Sequence, residues 1–92
     1  MMNRFIQGQN DRNRAALKFL IDIGFEVSDV RRGLIIMNKI NISQLAKDHE
    51  VSAPSLYNTL RGARVNGKSK EALSSALGVD SEEMFPPLNI TA

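Results

Sequence analysis

Between Val51 and Lys70 the chain carries Arg61, Arg64, Lys68 and Lys70 and not one carboxylate. Just upstream of those cations lie Ser52, Ser55, Tyr57 and Asn58, side chains that both donate and accept hydrogen bonds. This is not a catalytic inventory. Covalent or acid–base chemistry needs a nucleophile beside a base, or paired carboxylates in a cleft, and the sequence has no cysteine and one histidine, His49, placed among charges near a predicted helix end. What remains is non-covalent recognition: cations for an anionic surface, amides and hydroxyls for its polar edges. Residues 71–92 are the reverse, with Glu71, Asp80, Glu82 and Glu83 and no base, so a net charge of only +2 hides a strong segregation. A basic run alone is usually a solvated surface. Its position relative to the helices decides what it means.

The elements that must position these residues are two short helices meeting at a tight corner, the first from about Ile42 to His49 and the second from about Ala53 to Arg61. Asn41 and Ser52 are the N-caps, each with a side-chain oxygen able to accept a free N–H of the opening turn. Pro54 falls in the first turn of the second helix, where its missing N–H is not needed. Ile42, Leu45, Ala46, Val51, Leu56 and Leu60 are spaced to bury one face of each helix, with the small Ala46 at the closest approach. At about 100° per residue, Leu60 and Ala53 lie within about 60° of Leu56 on the buried side. Asn58, Pro54 and Arg61 lie opposite, with Ser55 and Tyr57 flanking.

The spacing of Leu45, Ala46, Val51, Ser52 and Leu56 resembles the helix-turn-helix of lambda-repressor-like DNA-binding domains. The resemblance continues through Ser52-Ala53-Pro54-Ser55-Leu56-Tyr57-Asn58-Thr59-Leu60, a basic connector containing glycine, Glu71-Ala72-Leu73-Ser74-Ser75-Ala76-Leu77-Gly78-Val79, and an acidic turn ending Met84-Phe85-Pro86. Over roughly residues 29–86 the chain is similar to the Ner-like regulators of transposable phages. It departs from them at Glu50, the corner position where such domains usually place glycine, which implies a somewhat different or slightly strained turn.

The resemblance implies an all-α fold, a bundle of four to five short helices, and binding of double-stranded DNA in the major groove. Carried over by position, Ser52, Ala53, Pro54, Ser55, Tyr57 and Asn58 are the base-contacting candidates. Asn58 can pair bidentately with adenine, Ser55 can donate or accept, and Ala53 or Pro54 can touch a thymine methyl. Phosphate contacts fall to Arg61, Arg64, Lys68 and Lys70, joined by Ser43 and Gln44 at the start of the first helix. The resemblance further implies a phage or mobile-element transcriptional regulator, expected to be a repressor, acting as a homodimer at least on DNA. The alternative is a protein-interaction module, an antitoxin or antirepressor, on the same scaffold. No cofactor, metal or small-molecule ligand is implied.

Ninety-two residues, 42% of them hydrophobic, fit one small domain. The expected divisions are a flexible arm over 1–10, the DNA-binding domain over 11–86 with an extra N-terminal helix at 11–24, and a tail over 87–92. In the extra helix Ala16, Phe19, Leu20 and Ile23 form the apolar stripe, with Arg12, Arg14 and Lys18 outside. A helix capped by Ser28 or Asp29 and running to about Lys39 buries Val30, Leu34, Met37 and Ile40, flanked by Ile35 and Ile36, and turns Arg31 and Arg32 outward. After a loop over 62–67, a helix from about Lys68 buries Ala72, Leu73, Ala76 and Leu77 and ends at Gly78. Asp80 and Glu83 read as a capping box for a last turn, with Phe85 closing the core. No apolar run has membrane-spanning length, and a cytoplasmic location, on the nucleoid when DNA-bound, is expected.

Overall fold

Residues 2–22 contain no proline and one glycine, and their straight-chain residues favour a helix enough to absorb the roughly 1 kcal/mol that Gly8 costs. In the computed structural model, which describes the backbone of residues 2–85 and the side chains of residues 11–85, this stretch is helix α1, Met2–Asp22. The expected flexible arm is therefore the first half of that helix. The expected tail at 87–92 lies outside the described residues. Five more helices follow: α2 Val27–Met37, α3 Ile42–Asp48, α4 Ala53–Arg61, α5 Gly67–Leu77 and α6 Ser81–Met84. The described residues form no strand, so the all-helical class is as expected, with one helix more than the four or five anticipated.

Helix α4 is the centre of the packing. It touches α2, α3 and α5, while α1 packs on α2 and α6 closes against α5. Leu34, Leu56, Leu60, Leu73, Leu77 and Met84 are completely enclosed and form the middle of one continuous core. Each such side chain contributes about 1.5–3 kcal/mol relative to exposure, so the register of α4 is strongly fixed.

Three apolar stripes differ from expectation, and on α5 the difference is that Ala76 is exposed while Ser69 and Ser74 are buried with Ala72, Leu73 and Leu77. Among the described residues of α1 Asn13 and Leu17 are buried and Ala16 and Leu20 pack against the core, while Phe19, and Ile23 just past the helix end, are exposed. The apolar spacing of this helix fits two faces about 120° apart, and the one that packs on the core carries Leu17, Leu20 and Ile21. The Asn13 amide donates to the Leu77 carbonyl at 2.9 Å and exchanges bonds of 3.2 and 3.0 Å with the Asn38 amide. Asn13 is thus hydrogen-bonded where it lies buried beside the apolar residues of that face. On α2 the buried set is Val30, Arg31, Leu34 and Ile35, and both Ile36 and Met37 are exposed. The helix begins at Val27 with Glu26 at the cap and no side-chain capping bond, rather than at Ser28 or Asp29. Asp29 pairs instead with Arg32, at 2.8 Å, on the surface.

Arg31, expected to face outward, is a core residue, 4% exposed. Its Nε donates to the Leu60 carbonyl at 3.0 Å and its Nη1 to the Met84 carbonyl at 2.8 Å. The guanidinium carbon lies 4.5 Å from the centroid of the Phe85 ring. Desolvation lowers its pKa from the ordinary arginine value, yet a guanidinium stays charged even so. One buried cation thus caps the C-terminal end of α4, where carbonyls lack helical partners, and ties down α6. The capping box at α6 does not form: Asp80 makes no side-chain capping bond, and the Glu83 carboxylate instead takes Arg14 Nε at 2.8 Å.

Candidate nucleic-acid interface

The corner between α3 and α4 is built as the side chains dictate. Asn41 accepts from the Gln44 N–H at 3.1 Å and Ser52 from the Ser55 N–H at 3.2 Å. Each such cap is worth about 1 kcal/mol. The turn is closed by Val51 N–H to the Ala46 carbonyl at 3.0 Å, and His49 is the C-cap of α3. Glu50 has φ +56°, the left-handed conformation that glycine takes freely and other residues at a penalty of about 1–2 kcal/mol. The expected strain is therefore located at that one residue.

The far end of α4 is equally constrained. Gly62 ends it at φ +77°, and a β-carbon there would stand 3.3 Å from Arg31 Nη2. Thr59, fully buried, donates its hydroxyl to the Arg64 carbonyl at 3.2 Å and accepts the Asn66 N–H at 3.3 Å. Asn66 in turn caps α5, its Oδ1 accepting from Lys68 and Ser69 N–H at 2.9 and 3.2 Å. Thr59 and Asn66 hold the connector that carries Arg64 and Lys68, and neither was singled out in the sequence. Both had a signal: Thr59 is three residues from Leu56 on the buried side, and Asn66 is a cap-type residue opening a helix.

Within this frame the base-contacting candidates separate. Ser52, Pro54 and Tyr57 are exposed along α4, and Tyr57 shows 52% of its surface. Asn58 is half-buried, its Oδ1 accepting from Arg61 Nη2, which leaves its amide nitrogen as the group able to donate. Ser55 is half-buried and its hydroxyl lies 2.9 Å from that of Ser69, which is fully enclosed. Ala53 packs on the core and leaves little surface for a thymine methyl.

The phosphate candidates separate too. Arg61, Arg64 and Lys68 are exposed, and they stand together at the C-terminal end of α4, the connector and the first turn of α5. Lys70 is half-buried, its ammonium 6.0 Å from the Phe85 ring centroid on the Arg31 side of the molecule. At the start of α3 Ser43 is exposed, and the Gln44 side chain donates to Asp48 at 2.9 Å. The surface so assembled holds an aromatic hydroxyl, an amide, two hydroxyls and three exposed cations, with Glu50 at the corner as the nearest acid along the chain. It can offer donors and positive charge to a polyanion.

A second feature borders this surface. A groove of about 500 Å³ runs between α2 and α4, floored by Ile35, Ile40, Ile42 and Leu60 and edged by Ile36 and Tyr57. Among the described residues no helix is long and apolar enough to cross a membrane.

No protein-family profile, no curated protein and no solved structure matches this chain.

Proposed function

We propose that the α3–α4 pair is a helix-turn-helix of the lambda-repressor-like kind and that this protein binds double-stranded DNA sequence-specifically through α4, acting as a transcriptional regulator of a phage or mobile element, in the sense of a repressor. The observation that carries the reading is the exposed face of α4, where Pro54, Tyr57 and Arg61 stand beside Arg64 and Lys68 without a carboxylate on the helix. A helix about 10–12 Å across fits the major groove, where each base pair presents its own donor and acceptor pattern. Ser55, Tyr57, Asn58 and the N-terminal residues Ser52 and Pro54 meet base edges; Arg61, Arg64 and Lys68 meet phosphates and set register. A single domain makes few base contacts, so two copies act on half-sites about 34 Å apart or a multiple of that.

The test is selection from a randomised duplex pool by the purified protein at roughly 150 mM salt, followed by titration of the winner against unrelated DNA. A symmetric or tandem motif bound about a thousandfold above background supports the reading. If no motif emerges and residual binding vanishes as salt rises, the reading fails. The apolar groove beside Tyr57 favours a second one, in which an antitoxin-like or antirepressor-like scaffold grips a protein partner between α2 and α4.

A further inference from the structure

Helix α1 keeps a second apolar face that the fold does not use. Phe19 and Ile23 are 62% and 55% exposed, and Arg12, Ala15 and Asp22 are exposed with them. Taking Phe19 as zero at about 100° per residue, Arg12, Ala15, Asp22 and Ile23 all fall within about 60° of it, and the half-buried Ala16 lies at the same limit. The buried residues Asn13 and Leu17 lie well round the helix, so this stripe is separate from the one that packs on α2. Its pattern is asymmetric along the axis: a cation at one end, an anion at the other, small residues toward the first and large ones toward the second. Among the described residues neither Arg12 nor Asp22 has an ion-pair partner.

We propose that this face binds a second copy of the same chain, the two α1 helices running antiparallel about a two-fold axis beside residue 17. With that register residue i faces residue 34 − i of the partner. Arg12 then meets the partner's Asp22, twice by symmetry, and Phe19 drops onto the partner's Ala15, a large side chain into a small-residue gap on both sides. The stem of Arg12 covers the partner's Ile23. A parallel pairing puts Arg12 against Arg12 and Phe19 against Phe19, and gains none of this. The charge order along the stripe is what selects a copy of this chain, antiparallel, as the occupant. One helix face is at the small end of protein interfaces, so the association is weak. The pairing deepens the two-copy reading of the DNA-bound state and rests on it only for its purpose; it is measured without DNA, so its failure leaves DNA recognition standing.

The experiment is sedimentation equilibrium of the whole chain with Arg12→Asp, Asp22→Arg and the double exchange. Each single reversal places like charges at both contacts and weakens self-association about tenfold. The double exchange restores it. Both sites are exposed, so all three variants retain the helical circular dichroism. Because the chain has no cysteine, orientation is read by single introduced thiols: Ala16→Cys, beside the axis, is joined by a short bis-maleimide. Asp11→Cys is not, because its copies are separated by twelve residues, about 18 Å along the axis. A chain that is monomeric throughout, reversals that leave association unchanged, or equal cross-linking at both positions overturns the proposal.

Discussion

Arg31 Nε donates to the Leu60 carbonyl across 3.0 Å of otherwise apolar interior, so the end of α4 is held by a cation from α2. The same guanidinium reaches Met84, and its planar fork is what lets one side chain serve two carbonyls set apart by the chain.

Removing that fork should be the most damaging single change outside the leucine core. Arg31→Ala is expected to lower unfolding free energy by about 2–4 kcal/mol, measured by urea titration, because two charge-assisted bonds go and two carbonyls lose their donor. Arg31→Lys recovers only part, since one ammonium cannot span both. Gly62→Ala, which sets a β-carbon against the guanidinium at a left-handed position, should destabilise the wild type more than it destabilises Arg31→Ala. Strict additivity would argue against the contact.

Glu50→Gly should raise stability by up to about 1 kcal/mol, since the left-handed backbone is relieved at the expense of some unfolded-state entropy. Glu50→Ala keeps the strain and gives no such gain. Both remove a carboxylate beside the proposed phosphate surface, so both tighten DNA binding alike. A melting curve and a binding titration on the two variants therefore separate backbone strain from charge.

Ser74→Ala should be neutral or stabilising by about 0.5–1 kcal/mol. Its hydroxyl is buried within α5 with no hydrogen-bond partner among the described residues, and alanine is the better helix former. A loss above about 1 kcal/mol by thermal denaturation would mean that the hydroxyl is satisfied.

On DNA, Asn58→Ala should change preference at one base position, at about 1–3 kcal/mol, whereas Lys68→Ala should weaken all sequences alike and shallow the salt slope by about one. Asn58 also holds Arg61, so a small uniform loss accompanies its specific one. A purely uniform loss would leave Asn58 as a positioning residue for Arg61.

The corner at Asn41, Glu50 and Ser52 was legible in the sequence because local rules govern it: cap chemistry, a proline in the first turn and a position that wants glycine each depend on two or three neighbouring residues. Arg31 was not legible. Periodicity counts an arginine as polar and turns it outward, and only the meeting of three distant segments, α2, the end of α4 and α6, supplies the carbonyls that reward its burial. Phe19 and Ile23 failed for a related reason. Helical spacing says that a stripe exists but not which of two stripes the fold will use, and the buried one carries Asn13, whose partners are 25 and 64 residues away. A separation of 14 residues hid the Ser55–Ser69 contact, which changes what Ser55 can offer.

In the Ser55–Ser69 hydrogen bond either hydroxyl can be the donor. When Ser55 supplies the proton to Ser69, its oxygen faces outward as an acceptor, matched to the exocyclic amines of adenine or cytosine; when Ser69 supplies it, Ser55 has its own proton free for guanine or the thymine carbonyl. Turning two hydroxyl rotors changes the pairing rule without moving a helix. An operator read by α4 should therefore hold one tolerant letter, where Ser55 lands, beside stricter ones. Ser69→Ala would leave Ser55 to settle its own proton and shift which letters are accepted there.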